Sequence, residues 1–122
     1  MRTVLAIGTL VAATTAASAD MSMSFTWGPT KKCFDSKSPP ITMSGVPEGT
    51  KKIKFVMVDK DAPSFSHGGG SVNWTGKKSL PYGAFRYKGP CPPSPHTYQF
   101  TAKAVDGYGK TLATARASRR FP

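Results

Sequence analysis

The two histidines of the chain, His67 and His96, each lie beside a cluster of glycine and proline residues. One cluster, residues 59–70, contains two carboxylates and begins where an apolar run ends. The other, residues 89–98, leads into an alternating run. If the clusters meet at neighbouring strand ends, imidazoles, carboxylates, a phenol and backbone amides converge on one small polar pocket. Imidazole, hydroxyl and backbone N–H groups match the oxygen atoms of phosphate, so we expect an anion site.

The two carboxylates of the first cluster, Asp59 and Asp61, would repel a bare phosphate. We therefore expect one of them to orient a histidine or to meet the cationic part of a zwitterionic headgroup. The alternative for either residue is a purely local role, because aspartate often accepts hydrogen bonds from the backbone that follows it. His96 has a similar alternative as a packed strand residue.

The N-terminal segment has the pattern of a secretory signal peptide. Arg2 is followed by an apolar stretch and then by Ala17, Ser18 and Ala19, the small residues of a processing site. We predict cleavage before Asp20, export to the periplasm or medium, and one domain over residues 20–122, a usual domain length. No other segment has the ~20 apolar residues of a membrane-spanning helix, and the alternative of an uncleaved anchor is disfavoured by the short apolar region.

The chain is strongly basic, with 17 Lys and Arg against six Asp and Glu and a net charge of +11. Loss of Arg2 with the signal peptide would lower the basic count to 16 and the charge to +10. Such a charge attracts phosphate, lipid headgroups and nucleic acid alike. A nucleic-acid site would use Trp27, Trp74 and the tyrosines. Aromatic residues in a β-protein more often form the core, so we expect no nucleic-acid partner.

The chain has two cysteines, Cys33 and Cys91. In an oxidising compartment they would form a disulfide that joins the N-terminal loop to the loop before His96. The alternative is two free thiols. A metal site on these cysteines is disfavoured, because they lack a Cys-x-x-Cys spacing.

Apolar residues recur with a period of two in residues 21–27, 53–57 and 98–104, which predicts half-buried strands. Glycine and proline turns separate these segments, and residues 68–70 are interpreted as one such turn. With 12 glycines, 11 prolines and no amphipathic helix pattern, the chain is predicted to be all-β, a sandwich or barrel. Residues 111–118 are ambiguous, because their alanines favour helix while their alternation favours a strand.

Three segments resemble the phosphatidylethanolamine-binding protein family in its bacterial Raf-kinase-inhibitor-like branch. They are residues 44–50 (SGVPEGT), residues 59–63 (DKDAP) and residues 89–98 (GPCPPSPHTY), in the order of the family. The resemblance implies an antiparallel β-sandwich with a shallow anion pocket, in which residues 111–118 form the last strand. It also implies the pocket residues Asp59, Asp61, Pro63, His67, Gly89, His96 and Tyr98.

The chain departs from the family at several positions. Lys60 replaces the proline of an Asp-Pro-Asp element, and Thr97 replaces the arginine of His-Arg-Tyr. Three glycines follow His67 in place of a bulky apolar strand. The helical segment before the last strand is missing between Asp106 and Lys110.

Other classes of function remain open at the level of sequence. A hydrolase would need a nucleophile such as Ser64, Ser66 or Ser94, but the chain has no Gly-x-Ser-x-Gly elbow. Two histidines and a carboxylate would also suit a metal, although the spacing is not diagnostic. Relatives in the family are described as modulators of kinases or proteases, but the sequence contains no partner motif.

These observations favour a binding protein with no cofactor and no metal rather than an enzyme. The ligand is expected to be a phosphate-bearing small molecule or a phospholipid headgroup held by His67 and His96. Because a protonated imidazole holds an anion better, affinity should rise as the pH falls through the range near ~6.5 in which imidazoles protonate.

Overall fold

A computed structural model describes residues 20–122, and the predicted signal peptide lies outside these residues. Between residues 20 and 122 the chain forms seven strands, and no helix there is long and apolar enough to cross a membrane. The strands are β1 (Ser22–Phe25), β2 (Ile41–Ser44), β3 (Lys52–Asp59), β4 (Ser66–Asn73), β5 (Ser79–Leu80), β6 (His96–Val105) and β7 (Thr111–Phe121). The all-β prediction is confirmed.

The strands form two antiparallel sheets, one of three strands in the order β1-β2-β5 and one of four in the order β4-β3-β6-β7. The strands β3 and β6 are central in the larger sheet. Their buried and exposed residues alternate, as expected for strands with one face against a core. Asp59 pairs with Tyr98, so the last residue of β3 lies beside the start of β6.

The core lies between the two sheets. The larger sheet contributes Ile53, Phe55 and Phe100, and the smaller sheet contributes Phe25 and Met43. The rings of Phe25 and Phe100 meet edge to face with centroids 5.0 Å apart, a favourable arrangement for aromatic quadrupoles. Burial of each such side chain stabilises the fold by about 1.5–3 kcal/mol.

The two tryptophans belong to the periphery of this core. Trp27 packs edge-on against Phe25, Tyr98 and Phe121, and its indole N–H donates to the Arg120 carbonyl at 2.6 Å. Trp74 is also partly buried against the core. Both are therefore placed as packing residues.

The interpretation of residues 68–70 as a turn is wrong, because all three glycines lie inside β4. A Cβ on Gly69 would overlap the carbonyl oxygen of Phe55 on the neighbouring strand, and one on Gly70 would stand 3.0 Å from the side chain of Phe85. Gly68 has a φ of 65°, which glycine adopts readily. The glycines thus allow close approach rather than chain reversal.

The ambiguous segment at the C-terminus is a strand, longer than residues 111–118, since β7 continues to Phe121. Before it, a tight turn connects β6 to β7. The Asp106 carboxylate accepts hydrogen bonds from the N–H groups of Tyr108 and Lys110, each at 2.9 Å. The short strands β2 and β5 were not predicted from the sequence.

Candidate functional site

The end of β3 and the starts of β4 and β6 lie side by side, because both neighbours run antiparallel to β3. This arrangement brings Asp59, His67, His96 and Tyr98 to the lining of one cavity of about 130 Å³. His67 is the second residue of β4 and His96 the first of β6, so both imidazoles are mounted on strands. Strand positions fix a side chain more firmly than loop positions do.

Asp59 is the central carboxylate of the site and is 4% exposed. Its Oδ2 lies 2.6 Å from Nδ1 of His96. Its Oδ1 accepts from the backbone N–H groups of Asp61 at 2.9 Å and Ala62 at 3.2 Å. Burial opposes the charge of Asp59, but these hydrogen bonds outweigh it, so the pKa of Asp59 lies below its usual value. Asp59 therefore fills both expected roles, orienting a histidine and capping its own loop.

His67 is held in a different way. It is 3% exposed, and its Nδ1 lies 2.6 Å from the carbonyl oxygen of Lys88. A carbonyl oxygen only accepts, so Nδ1 of His67 carries the hydrogen. The Lys88 N–H in turn donates to the His67 carbonyl at 2.9 Å, and the ring packs edge-on against Tyr98 with centroids 5.4 Å apart. The imidazole is thus fixed in tautomer and orientation.

Both imidazoles use Nδ1 as a hydrogen-bond donor to a protein oxygen. Within residues 20–122 this leaves Nε2 of each ring for a ligand. In the neutral ring Nε2 is an acceptor, whereas in the protonated ring it is a donor. An anion therefore requires the protonated form.

Tyr98 closes the inner side of the cavity and is 1% exposed. Burial, with added repulsion from the Asp59 charge, raises the pKa of Tyr98 to about 12. The phenol consequently keeps its proton and can donate to a ligand oxygen.

Three of the residues implied by the resemblance do not line this cavity. Asp61 Oδ2 accepts from the Thr97 N–H at 2.7 Å, so it joins the loop to the start of β6. The Gly89 N–H donates to the Asp35 carbonyl at 3.0 Å and is not free for a ligand. Pro63 is exposed in the loop between β3 and β4.

The departures at Lys60 and Thr97 lie away from the cavity. Tyr98 points into the core, so its neighbour Thr97 projects its side chain to the opposite face of the sheet. The Lys60 N–H donates to the Thr97 carbonyl at 2.8 Å, while its side chain is exposed. The missing arginine and proline therefore change the outer surface and the loop backbone.

Six of the ten residues that line the cavity were not among the predicted pocket residues: Phe34, Ala62, Phe65, Cys91, Pro92 and Pro93. The disulfide between Cys33 and Cys91 is present, as predicted, and it brings the loop of Phe34 to the loop before β6. The position of Phe34 next to Cys33 was the signal that could have placed it at the site.

The alternatives of a hydrolase and a metal centre find little support in the geometry. None of the candidate nucleophiles, Ser64, Ser66 and Ser94, lines the cavity. Ligand atoms of Asp59, Asp61 and His96 lie within 4.8 Å of one another. The hydrogen bonds already described occupy both oxygens of Asp59, one oxygen of Asp61 and Nδ1 of His96. A cation bound through those atoms would compete with these hydrogen bonds.

Comparison with known proteins identifies the family of the chain. The profile described as phosphatidylethanolamine-binding protein matches residues 12–75. The chain belongs to this family. Escherichia coli YbcL, a UPF0098 protein, is 35% identical over 56% of this chain and 52% of its own length. This chain thus spans about half the length of that curated relative.

Two solved structures share the fold of this family member. The crystal structure of Escherichia coli YbcL, described as a new member of the mammalian family, superposes with a TM-score of 0.61 at 24% identity, over 84% of this chain and 98% of the other. A putative homologue from Chlamydia trachomatis superposes with a TM-score of 0.60 at 19% identity, over 84% of this chain and 97% of the other.

Proposed function

We propose that the protein is an exported binding protein that holds a phosphate-bearing small molecule, or the headgroup of a phospholipid, without transforming it. Family membership supports a binding role in general. The finer proposal rests on one observation: His67 and His96 face the same small cavity as Tyr98, and each has its Nδ1 anchored to a protein oxygen. Two protonated imidazoles and a phenol supply donors for the oxygens of one anion.

Binding is favoured over catalysis because the donors lack the partners that a reaction would need. The only carboxylate that lines the cavity, Asp59, is committed to His96 and to two backbone N–H groups. No serine lines the cavity wall formed by residues 34–98. A phosphate ester bound there would meet hydrogen-bond donors but no activated nucleophile.

Export is the second part of the proposal. The processing pattern before Asp20 motivates it, and the disulfide between Cys33 and Cys91 supports it, because disulfides persist in oxidising compartments.

Titration calorimetry with inorganic phosphate and with phosphoethanolamine tests the proposed ligand class. We expect binding to strengthen from about pH 8 to about pH 5.5, across the range in which imidazoles protonate. His67→Ala and His96→Ala should each weaken phosphate binding at the lower pH by about 1–3 kcal/mol, the usual value of a charge-assisted hydrogen bond.

Thermal unfolding of both variants is the control for an intact fold. Affinity that is unchanged in both variants would place the ligand elsewhere. Steady release of product from a phosphoester would show that the protein is an enzyme.

A further inference from the structure

Two exposed phenylalanines form the rim of the cavity. Phe34 is 41% exposed and Phe65 is 40% exposed, and both line the same cavity as the two histidines. Their rings are nearly parallel, at 6°, with centroids 5.9 Å apart. Phe65 also contacts the His67 ring, with centroids 4.7 Å apart, so the rim is continuous with the pocket.

The fold holds Phe34 in place against its backbone preference. Its φ is 54°, and it is the only residue other than glycine with a positive φ in the part of the chain that the structure describes. The disulfide of Cys33 precedes it, and its N–H donates to the Pro90 carbonyl at 3.3 Å. A bulky side chain in the left-handed region is strained and is maintained only where its surroundings fix it.

Lys88 completes the rim. Its ammonium lies 4.6 Å from the centroid of Phe34 and 5.0 Å from that of Phe65. Its backbone is tied to His67 by two hydrogen bonds. Among residues 20–122 the only ion pair joins His96 to Asp59, so no carboxylate neutralises this ammonium. The rim thus combines a flat apolar surface with a free positive charge.

The size of the cavity limits how much of a ligand it can enclose. A volume of about 130 Å³ accommodates an anionic group, but it is well below the ~300 Å³ at which pockets enclose a drug-sized ligand. A large substituent on the anion therefore extends beyond the pocket, where the exposed rings of Phe34 and Phe65 are available to it.

We propose that this rim is a second subsite, which selects phosphate monoesters with a flat aromatic substituent. The proposal rests on the proposed function, because the phosphate group must occupy the pocket. The substituent packs against the rings of Phe34 and Phe65, and Lys88 contacts the phosphate from the rim. A cationic substituent is disfavoured, because the Lys88 ammonium already occupies the position beside both rings.

Titration calorimetry with phenyl phosphate, inorganic phosphate and phosphocholine tests this selectivity. We expect phenyl phosphate to bind about tenfold more tightly than phosphate, the effect of one favourable aromatic contact. Phosphocholine should bind no more tightly than phosphate. In Phe34→Ala and in Phe65→Leu the ratio of phenyl phosphate to phosphate affinity should fall towards one.

Lys88→Met should lower the affinity for both phosphate and phenyl phosphate and raise that for phosphocholine relative to phosphate. Tyr108→Ala is the matched aromatic control, because this ring is 98% exposed in the turn before β7, and its ratio should equal that of the wild type. Equal affinities for phosphate and phenyl phosphate in the wild type would overturn the subsite alone. If none of the three probes binds, the subsite and the proposed function both fail.

Discussion

At the scale of single residues, the site depends on the two oxygens that fix Nδ1 of its histidines. Both anchors are hydrogen-bond acceptors, but only Asp59 at His96 carries a charge. The imidazole of His96 is therefore the one that is oriented by a charged neighbour. His67 instead relies on a backbone carbonyl, which fixes its orientation and adds no full charge.

The same carboxylate makes the stability of the fold depend on pH. The pKa of Asp59 is lowered in the folded protein, so its stabilising contribution is complete above the ordinary value of about 4 and is lost as the pH falls through the lower folded value. We expect Asp59→Asn to lower the free energy of unfolding at pH 7 by about 1–3 kcal/mol. The variant should also lose less stability than the wild type on acidification below about pH 4.

Urea unfolding between neutral and acidic pH measures both effects, with the exposed Asp20→Asn as the matched control. The dependence of the unfolding free energy on pH should be weaker in Asp59→Asn but should not vanish, because the pKa of the buried Asp35 is also lowered. Burial opposes that shift, and hydrogen bonds from the Tyr82 hydroxyl and the Lys37 N–H outweigh it. An acid profile of Asp59→Asn that matches the wild type would contradict this account.

At the scale of strands, β4 brings His67 to the cavity, and its pairing with β3 depends on glycine. We expect Gly69→Ala to destabilise the fold by about 1–3 kcal/mol, because the added methyl group meets the Phe55 carbonyl on β3. Gly107→Ala is the matched control, since a Cβ there would have ordinary contact at 3.7 Å with Lys51 and the position has no positive φ. Thermal unfolding of the two variants compares them, and equal melting temperatures would rule out the close approach.

At the scale of the whole molecule, one disulfide links two cysteines that are 58 residues apart in the sequence and joins two loops at the cavity. Closure of so long a loop stabilises the folded state by about 2–4 kcal/mol. We predict that protein recovered from the periplasm or medium starts at Asp20 and contains no free thiol. Intact mass measurement after thiol labelling under denaturing, non-reducing conditions tests both points. Retention of Arg2 or two labelled cysteines would contradict export with oxidation.

The sequence by itself determined the all-β class and, through the family resemblance, a last strand over residues 111–118 and four residues of the cavity. Alternating apolar residues report which face of a strand is buried, and this pattern is local, so β3 and β6 were readable from it. The motif resemblance pointed to seven residues, and four of them, Asp59, His67, His96 and Tyr98, line the cavity.

Only the tertiary structure decided the remainder, because it depends on contacts between distant segments. The three glycines of β4 have the composition of a turn, and only the approach of β3 and Phe85 shows why they lie in a strand. Gly89 has no local signal for its role, which is to donate its N–H to the Asp35 carbonyl. Phe34 reaches the cavity because the neighbouring disulfide joins cysteines that are 58 residues apart. A pocket wall is assembled from several loops, so its composition is a property of the packed molecule.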